Sequence, residues 1–284
     1  MIDPNDSPVV FRGTITPRYT DLDTWRHVNN SRIYQLHIEA RIQALVDRFG
    51  PDAWFSDAER LRPVRTITHF RQVSWYGSNL DFTVELLGCD DHHVRLRSEL
   101  HQQGKHVGTQ ESLLGAFLDH EQVPLPIGMR DSFRQDVPRD PEPMPEEHYS
   151  GKADRLDDFP FRRELTPRYA DLDADTQRSE AAIARYMEQA RFDSVGRIDL
   201  EGLGILIASL DITFGHYRPS GEPVKLGSGV SHLGNTSFHL TGGARSKHGL
   251  HAIANSVMVI VDLDQNRPTP LTDNLRVQLD KLKI

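Results

Sequence analysis

The chain has 284 residues, 37% of them hydrophobic and 26% charged, enough apolar material for one large globular domain or two smaller ones. Its formal net charge of −8 excludes the broad basic stripe of a nucleic-acid surface but still allows a local arginine cluster around an anionic group. A single cysteine, Cys89, excludes an intramolecular disulfide and fits a reducing cytoplasm. The opening MIDPNDSPVV has no apolar stretch of signal-peptide type, and the longest apolar runs, near 204–210 and 257–261, are too short to span a bilayer.

In chain order, residues 9–19 are strand-like and lead into TPRYTDLD at 16–23. A polar turn from Asp21 to Asn29 follows, holding two carboxylates, an imidazole and an amide. Over about 30–48, Ile33, Leu36, Ala40 and Ala44 recur at i, i+3, i+7 and i+11, the spacing of one helix face. Asn29 or Asn30 suits the N-cap, because an amide oxygen accepts from the free N–H groups of a first turn. The turn is thus predicted to sit at a helix N-terminus, where amide donors converge and the macrodipole favours a developing oxyanion. Strands are predicted at 64–75, 80–88, 93–102 and 106–118. Val94, Leu96, Ser98 and Leu100 alternate with Arg95, Arg97 and Glu99, the mark of a half-buried strand. Asp90-Asp91 and Gln103-Gly104 read as hairpin turns. Residues 131–158, with Pro138, Pro141, Pro143 and Pro145 among acids, read as an extended, solvated linker.

The second half then repeats the first. TPRYADLD at 166–173 differs from the first segment only at Ala170, and the register holds through the following helix: Ile183, Ala190 and Arg191 match Ile33, Ala40 and Arg41 at an offset of 150. A strand at 161–169, a helix at 180–198 and strands at 205–214, 224–233, 237–244 and 252–261 follow the same order. The C-terminal NLRVQLDKLKI reads as a short amphipathic helix that packs. The reading is α+β: a duplicated β–α–β–β–β–β domain with one long helix and an antiparallel sheet in each copy. The first domain is 1–130, the linker 131–158 and the second domain 159–284.

Tyr19, Asp21, Asp23, His27-Val28-Asn29-Asn30, Tyr34 and Glu39-Ala40-Arg41 together resemble the signature of hotdog-fold acyl thioesterases, the 4-hydroxybenzoyl-CoA and acyl-carrier-protein groups. Tyr217-Arg218-Pro219-Ser220-Gly221, the 232–238 turn and 261–270 resemble later family segments. The resemblance implies two tandem hotdog domains, each a long central helix wrapped by its sheet, paired edge to edge as an intrachain pseudo-dimer; further homo-oligomerisation stays open. It implies hydrolysis of an acyl-CoA or acyl-carrier-protein thioester, with no metal, no redox cofactor, no nucleic acid and no membrane span. Asp23 matches the catalytic carboxylate, as general base or as nucleophile. His27 matches a histidine that in plant-type relatives works with an asparagine two residues after the aspartate, where this chain has Trp25. Asn29 and Asn30 are the oxyanion candidates, with plain capping as the alternative. Tyr34 is expected against the acyl group or in the core, Asp21 as turn support, and Glu39 in a buried pair with Arg41 or with the other half. Arg62, Arg65 and Arg71 are candidate phosphate contacts.

The other histidines, His92-His93 included, show no metal-ligand spacing, and Cys89 beside a turn is not expected to be a nucleophile. In the second copy Asp171 and Asp173 remain, but Gln177, Arg178, Ser179 and Glu180 replace His27, Val28, Asn29 and Asn30. A carboxylate at Glu180 would oppose an oxyanion, so one working site per chain is expected. Two other functions fit a hotdog: an acyl-thioester hydratase or dehydratase, and a non-catalytic acyl-thioester binding module.

Overall fold

The computed structural model describes residues 9–51, 59–138, 143, 153–174, 176–215, 221–265 and 267–284. The chain divides into two compact units, Met1–Glu146 and Glu147–Ile284. Residues 217–220 of the Tyr217–Gly221 motif, and 139–142 and 144–152 of the 131–158 stretch, lie outside the described residues.

In the first unit, β1 (Val9–Ile15) is followed by the helix α1 (Asn30–Phe49), then β2 (Arg60–Phe70), β3 (Leu80–Cys89), β4 (His93–Gln102) and β5 (Lys105–Leu118). A short β6 (Glu121–Val123) and a helix α2 (Ile127–Arg134) close it. The sheet order is β1-β3-β4-β5-β2, antiparallel throughout, with β6 on β5. The second unit has β7 (Phe161–Leu165), α3 (Glu180–Val195), β8 (Gly204–Phe214), β9 (Val224–Leu233), β10 (Ser237–Ser246), β11 (Gly249–Asp262), β12 (Arg267–Pro268) and α4 (Asp273–Asp280). Its order, β7-β9-β10-β11-β8 with β12 on β11, is the first unit's order again.

The cores follow from the patterns in the sequence. Ile33, Leu36, Ala40 and Ala44 are all buried on α1, and Val94, Leu96 and Leu100 are buried on β4. Gly50, at φ 83°, stops α1 in a conformation that side-chain-bearing residues avoid. Gln103 and Gly104, at φ 52° and 74°, give β4–β5 a two-residue turn with both central residues left-handed.

Three expectations need correction. The first strand ends at Ile15 rather than at Tyr19: Pro17 has no N–H to give a ladder, and Tyr19–Asp21 is a turn of 3-10 helix. The strand after α1 ends at Phe70, so Trp75 belongs to a loop. The 131–158 stretch is extended neither where it begins nor where it ends: α2 runs to Arg134 and buries Phe133, and Ala153–Asp158 is 3-10 helix with Leu156 buried. Phe133 meets Phe49 edge-on with ring centroids 5.2 Å apart, and the Arg48 guanidinium lies 5.1 Å from the Phe133 ring. In the second unit α4 occupies the corresponding place in chain order. It is capped by Thr272, which accepts from the Leu275 N–H at 3.1 Å, and it buries Leu275 and Leu279.

The α1 face toward the sheet also carries polar side chains. Arg41 is buried and donates to Ser112 Oγ at 2.8 Å; Arg191 on α3 is its repeat and donates to Ser256 Oγ at 3.3 Å. His37 is fully buried, with Nδ1 2.8 Å from Ser98 Oγ and Nε2 without a partner among the described residues. Burial, then the Arg41 and His106 charges, push His37 down from 6.5 to about 3. The unfolded chain therefore takes up the extra proton as pH falls through 6.5, and stability is lost from there down to about pH 3 at up to about 1.4 kcal/mol per pH unit. We expect wild type to lose about 2 kcal/mol more than His37→Gln between pH 7 and 5, measured by urea unfolding. Equal losses in the two proteins would refute the assignment.

Candidate functional site

The segment from Arg18 to Ile33 forms one closed turn leading into α1. Asp21 Oδ2 accepts from the Arg18 N–H at 2.7 Å, and the Asn29 N–H donates to Asp21 O at 2.8 Å. The Asp23 N–H donates to His27 O at 2.9 Å, and Leu22 and Val28 form an isolated β-bridge. Arg26 makes the reversal in the left-handed region at φ 67°. Asp21 thus supports the turn, as the sequence suggests.

Asp23 is half-buried, and its Oδ1 accepts from the Trp25 N–H at 2.8 Å and the His27 N–H at 3.2 Å. These are the bonds of an ordinary Asx turn. They engage one carboxylate oxygen; Oδ2 has no hydrogen-bond partner among the described residues. The turn role and an available oxygen therefore coexist.

Asn29 is the N-cap. Its Oδ1 accepts from the Ser31 N–H and the Ser31 hydroxyl, each at 2.7 Å, and its carbonyl accepts from Arg32 and Ile33 at 2.8 and 2.9 Å. Among the amides from Asn29 to Ile33, that of Asn30 has no partner among the described residues. Its amide hydrogen lies at the positive end of a twenty-residue helix, where an anionic oxygen is stabilised.

His27 is half-buried between two indoles. Its ring meets Trp75 edge-on at 4.8 Å between centroids and 89° between planes, and Trp25 at 6.4 Å and 67°. Neither ring nitrogen has a hydrogen-bond partner among the described residues. Trp75 is held from behind by Gln102: Oε1 accepts from the Trp75 N–H at 2.9 Å, and Nε2 donates to Trp75 O at 2.8 Å and Ser78 O at 2.9 Å. The Val28 N–H donates to Ser74 O at 2.8 Å, which ties this loop to the turn. Sequence reasoning missed Trp75 and Gln102 because a strand carried past residue 70 points them nowhere in particular. The Ser74–Gly77 run was the available signal of a loop.

Other expected residues lie elsewhere. Tyr34 is completely buried, and its hydroxyl is 2.9 Å from Thr66 Oγ1, so it belongs to the core of the first unit. Glu39 does not pair with Arg41. It is exposed and accepts from Gln43 Nε2 at 2.9 Å, because residues two apart on a helix face different ways. Arg62 and Arg65 are buried within β2, whereas Arg71 is exposed. Burial pushes the Cys89 thiol up, away from the reactive thiolate.

The second unit repeats the backbone of the turn with other side chains. Asp173 N–H donates to Gln177 O at 2.8 Å, Leu172 and Arg178 form the bridge, and Thr176 takes φ 58°. Gln177 and Arg178, however, are buried; Arg178 donates to His251 Nε2 at 2.7 Å and to Glu222 O at 2.8 Å. Asp171 is buried among Arg168, Arg185 and Tyr186. His27 and Asp21, half-buried in the first turn, are replaced here by the buried Gln177 and Asp171, and the buried Val28 by a buried arginine.

Residues 167–279 match the sequence model of the thioesterase-like superfamily. No curated protein matches the chain. Among solved structures, the chain is similar to the 12:0-ACP thioesterase from Umbellularia californica (TM-score 0.71, 13% identity, 88% of this chain and 94% of that one). It is similar to a putative oleoyl thioesterase from Lactobacillus plantarum (TM-score 0.68, 10% identity, 94% and 99%). It is also similar to an acyl-ACP thioesterase from Bacteroides thetaiotaomicron (TM-score 0.63, 12% identity, 87% and 97%). At such identities the likeness is one of fold. Each unit is a hotdog, and the chain carries the two in tandem.

Proposed function

We propose that this chain, a tandem hotdog protein of the thioesterase-like superfamily by its second half, hydrolyses an acyl thioester at the first unit's turn. The observation that carries the reading is the pairing, on one closed turn, of a carboxylate oxygen of Asp23 and the helix-start amide of Asn30, neither with a hydrogen-bond partner among the described residues.

The chemistry follows from those two groups. The thioester carbonyl oxygen accepts from the Asn30 N–H, which gains strength as negative charge builds there. Asp23 Oδ2 takes a proton from a water molecule as that water's oxygen bonds to the carbonyl carbon. The half-buried turn, with Thr24, Trp25 and Arg26 exposed around it, leaves water a path. The tetrahedral intermediate collapses, the carbon–sulfur bond breaks, and the thiolate recovers the proton held by Asp23. Acid and thiol are the products. His27, aligned by its two indole neighbours, orients the water through a ring nitrogen. The second unit's helix begins with Glu180, whose negative charge close to the first-turn amides would oppose an oxyanion there.

The solved structures named for acyl-ACP substrates favour a carrier-bound or CoA-bound fatty acyl group. A thiol-release assay over an acyl-chain series, presented on both carriers, tests the reading. Saturable turnover on at least one acyl thioester supports it. Tight binding of the esters without thiol release would overturn it in favour of a binding module, and water addition to a 2-enoyl thioester would favour a hydratase.

A further inference from the structure

The β4–β5 hairpin carries a cluster on the sheet face away from α1. Ser98 and Leu100 are buried and Ser98 meets His37 of the helix, so Glu99 and His101, one residue out of phase with them, project from the opposite face. The two-residue Gln103-Gly104 turn fixes the register and sets His106 directly across from His101. The two imidazoles stack with centroids 5.0 Å apart and planes 22° apart. One potential ligand atom from each of Glu99, His101 and His106 lies within 4.8 Å of the other two. All three side chains are half-buried, which leaves them room to turn.

We propose that Glu99, His101 and His106 bind a zinc ion. Two neutral imidazoles and a carboxylate are a borderline-soft donor set that suits Zn²⁺, with a fourth position left for water. Metal–ligand bonds of about 2.0–2.2 Å need donor atoms about 3.3 Å apart in a tetrahedron, so the three side chains must close by little more than an ångström. His106 already has one ring nitrogen 3.0 Å from Thr109 Oγ1, the outer hydrogen bond with which a ligating imidazole fixes its orientation. The ion would clasp the hairpin near its tip and stabilise the first unit by binding only the folded chain. The second unit supplies an internal comparison. His232 and His239 pair across β9 and β10 with centroids 5.1 Å apart, yet no third histidine, cysteine or carboxylate joins them among the described residues.

Calorimetric titration of the chelator-treated full chain with zinc chloride tests the proposal. Wild type should take up one tight equivalent. His101→Ala/His106→Ala should weaken that uptake by at least about a hundredfold, because losing even the outer partner of a ligand costs ten- to a hundredfold. Glu99→Gln, which keeps the size of the side chain, should weaken it about tenfold, and His232→Ala/His239→Ala should leave it intact. Zinc should also raise the melting temperature of wild type but not of the double His101/His106 variant. Circular dichroism without metal checks that each variant is folded. Should the double variant fail that check, Glu99→Gln and the visible absorption of bound cobalt(II) decide alone. No tight equivalent in wild type, or equal affinity in wild type and Glu99→Gln, would overturn the assignment.

Discussion

Asp23→Asn should lower kcat for thioester hydrolysis by about 10²–10⁴, the usual contribution of a positioned general base. Asparagine can still accept the Trp25 and His27 N–H bonds through its amide oxygen, so the turn survives. What it lacks is a second oxygen able to take a proton. The loss should therefore fall on kcat with KM nearly unchanged, the signature of an interaction made only in the transition state. Asp173→Asn in the second unit should alter turnover little, because that turn lacks the imidazole and begins its helix with Glu180. Steady-state kinetics on the best acyl thioester measures both. Equal losses from the two substitutions would defeat the single-site reading, and an unaffected Asp23→Asn enzyme would move the base elsewhere.

Much of this architecture is legible in the residues themselves, for identifiable reasons. The duplication is visible because TPRYTDLD and TPRYADLD impose the same bonded turn, and a bonded turn constrains nearly every position in it. The α1 face is visible because Ile33, Leu36, Ala40 and Ala44 repeat with the helix period. The α2 helix was obscured by composition: prolines and acids from 138 onward made the stretch look extended, although α4 at the end of the second unit was recognised from its own sequence. The free Asn30 amide could be anticipated only as a class, since which first-turn N–H lacks a partner depends on how the Asn29 side chain bends back to Ser31. The partners of His27 were not legible, because loop register brings together residues with no fixed spacing along the chain. The Glu99–His101–His106 cluster lies within one hairpin whose Gln103-Gly104 turn is legible, but how closely its three side chains approach is not.

Asp171→Ala should destabilise the second unit by about 2–3 kcal/mol, the usual cost of leaving a buried polar group without its partner together with a lost turn cap. Asp171 and Asp21 occupy the same place in the repeat and cap the same backbone amide, from Arg168 at 2.9 Å and from Arg18 at 2.7 Å. Their surroundings differ. Asp171 also accepts from the Tyr186 hydroxyl at 3.0 Å and from the Arg185 and Arg168 guanidinium groups at 3.2 and 3.3 Å. In the first copy Leu36 and Gln35 stand at the positions of Tyr186 and Arg185, and the nearest guanidinium nitrogen, of Arg32, is 4.0 Å from Asp21. Burial alone would raise the Asp171 carboxyl, but the Arg168 amide, the Tyr186 hydroxyl and the two guanidinium groups outweigh it and hold the carboxyl below its usual 3.8. Stability from this group is therefore present above about pH 4 and is lost as the pH falls through the lowered value. Removing it leaves the buried Tyr186 phenol without its acceptor, while the more exposed Arg168 and Arg185 turn to water; Asp21→Ala forfeits only a turn cap worth about 1 kcal/mol. Urea unfolding of the two variants at pH 7 separates the cases. A loss for Asp171→Ala no larger than for Asp21→Ala would mean that the second copy kept its first aspartate for something other than holding its turn together.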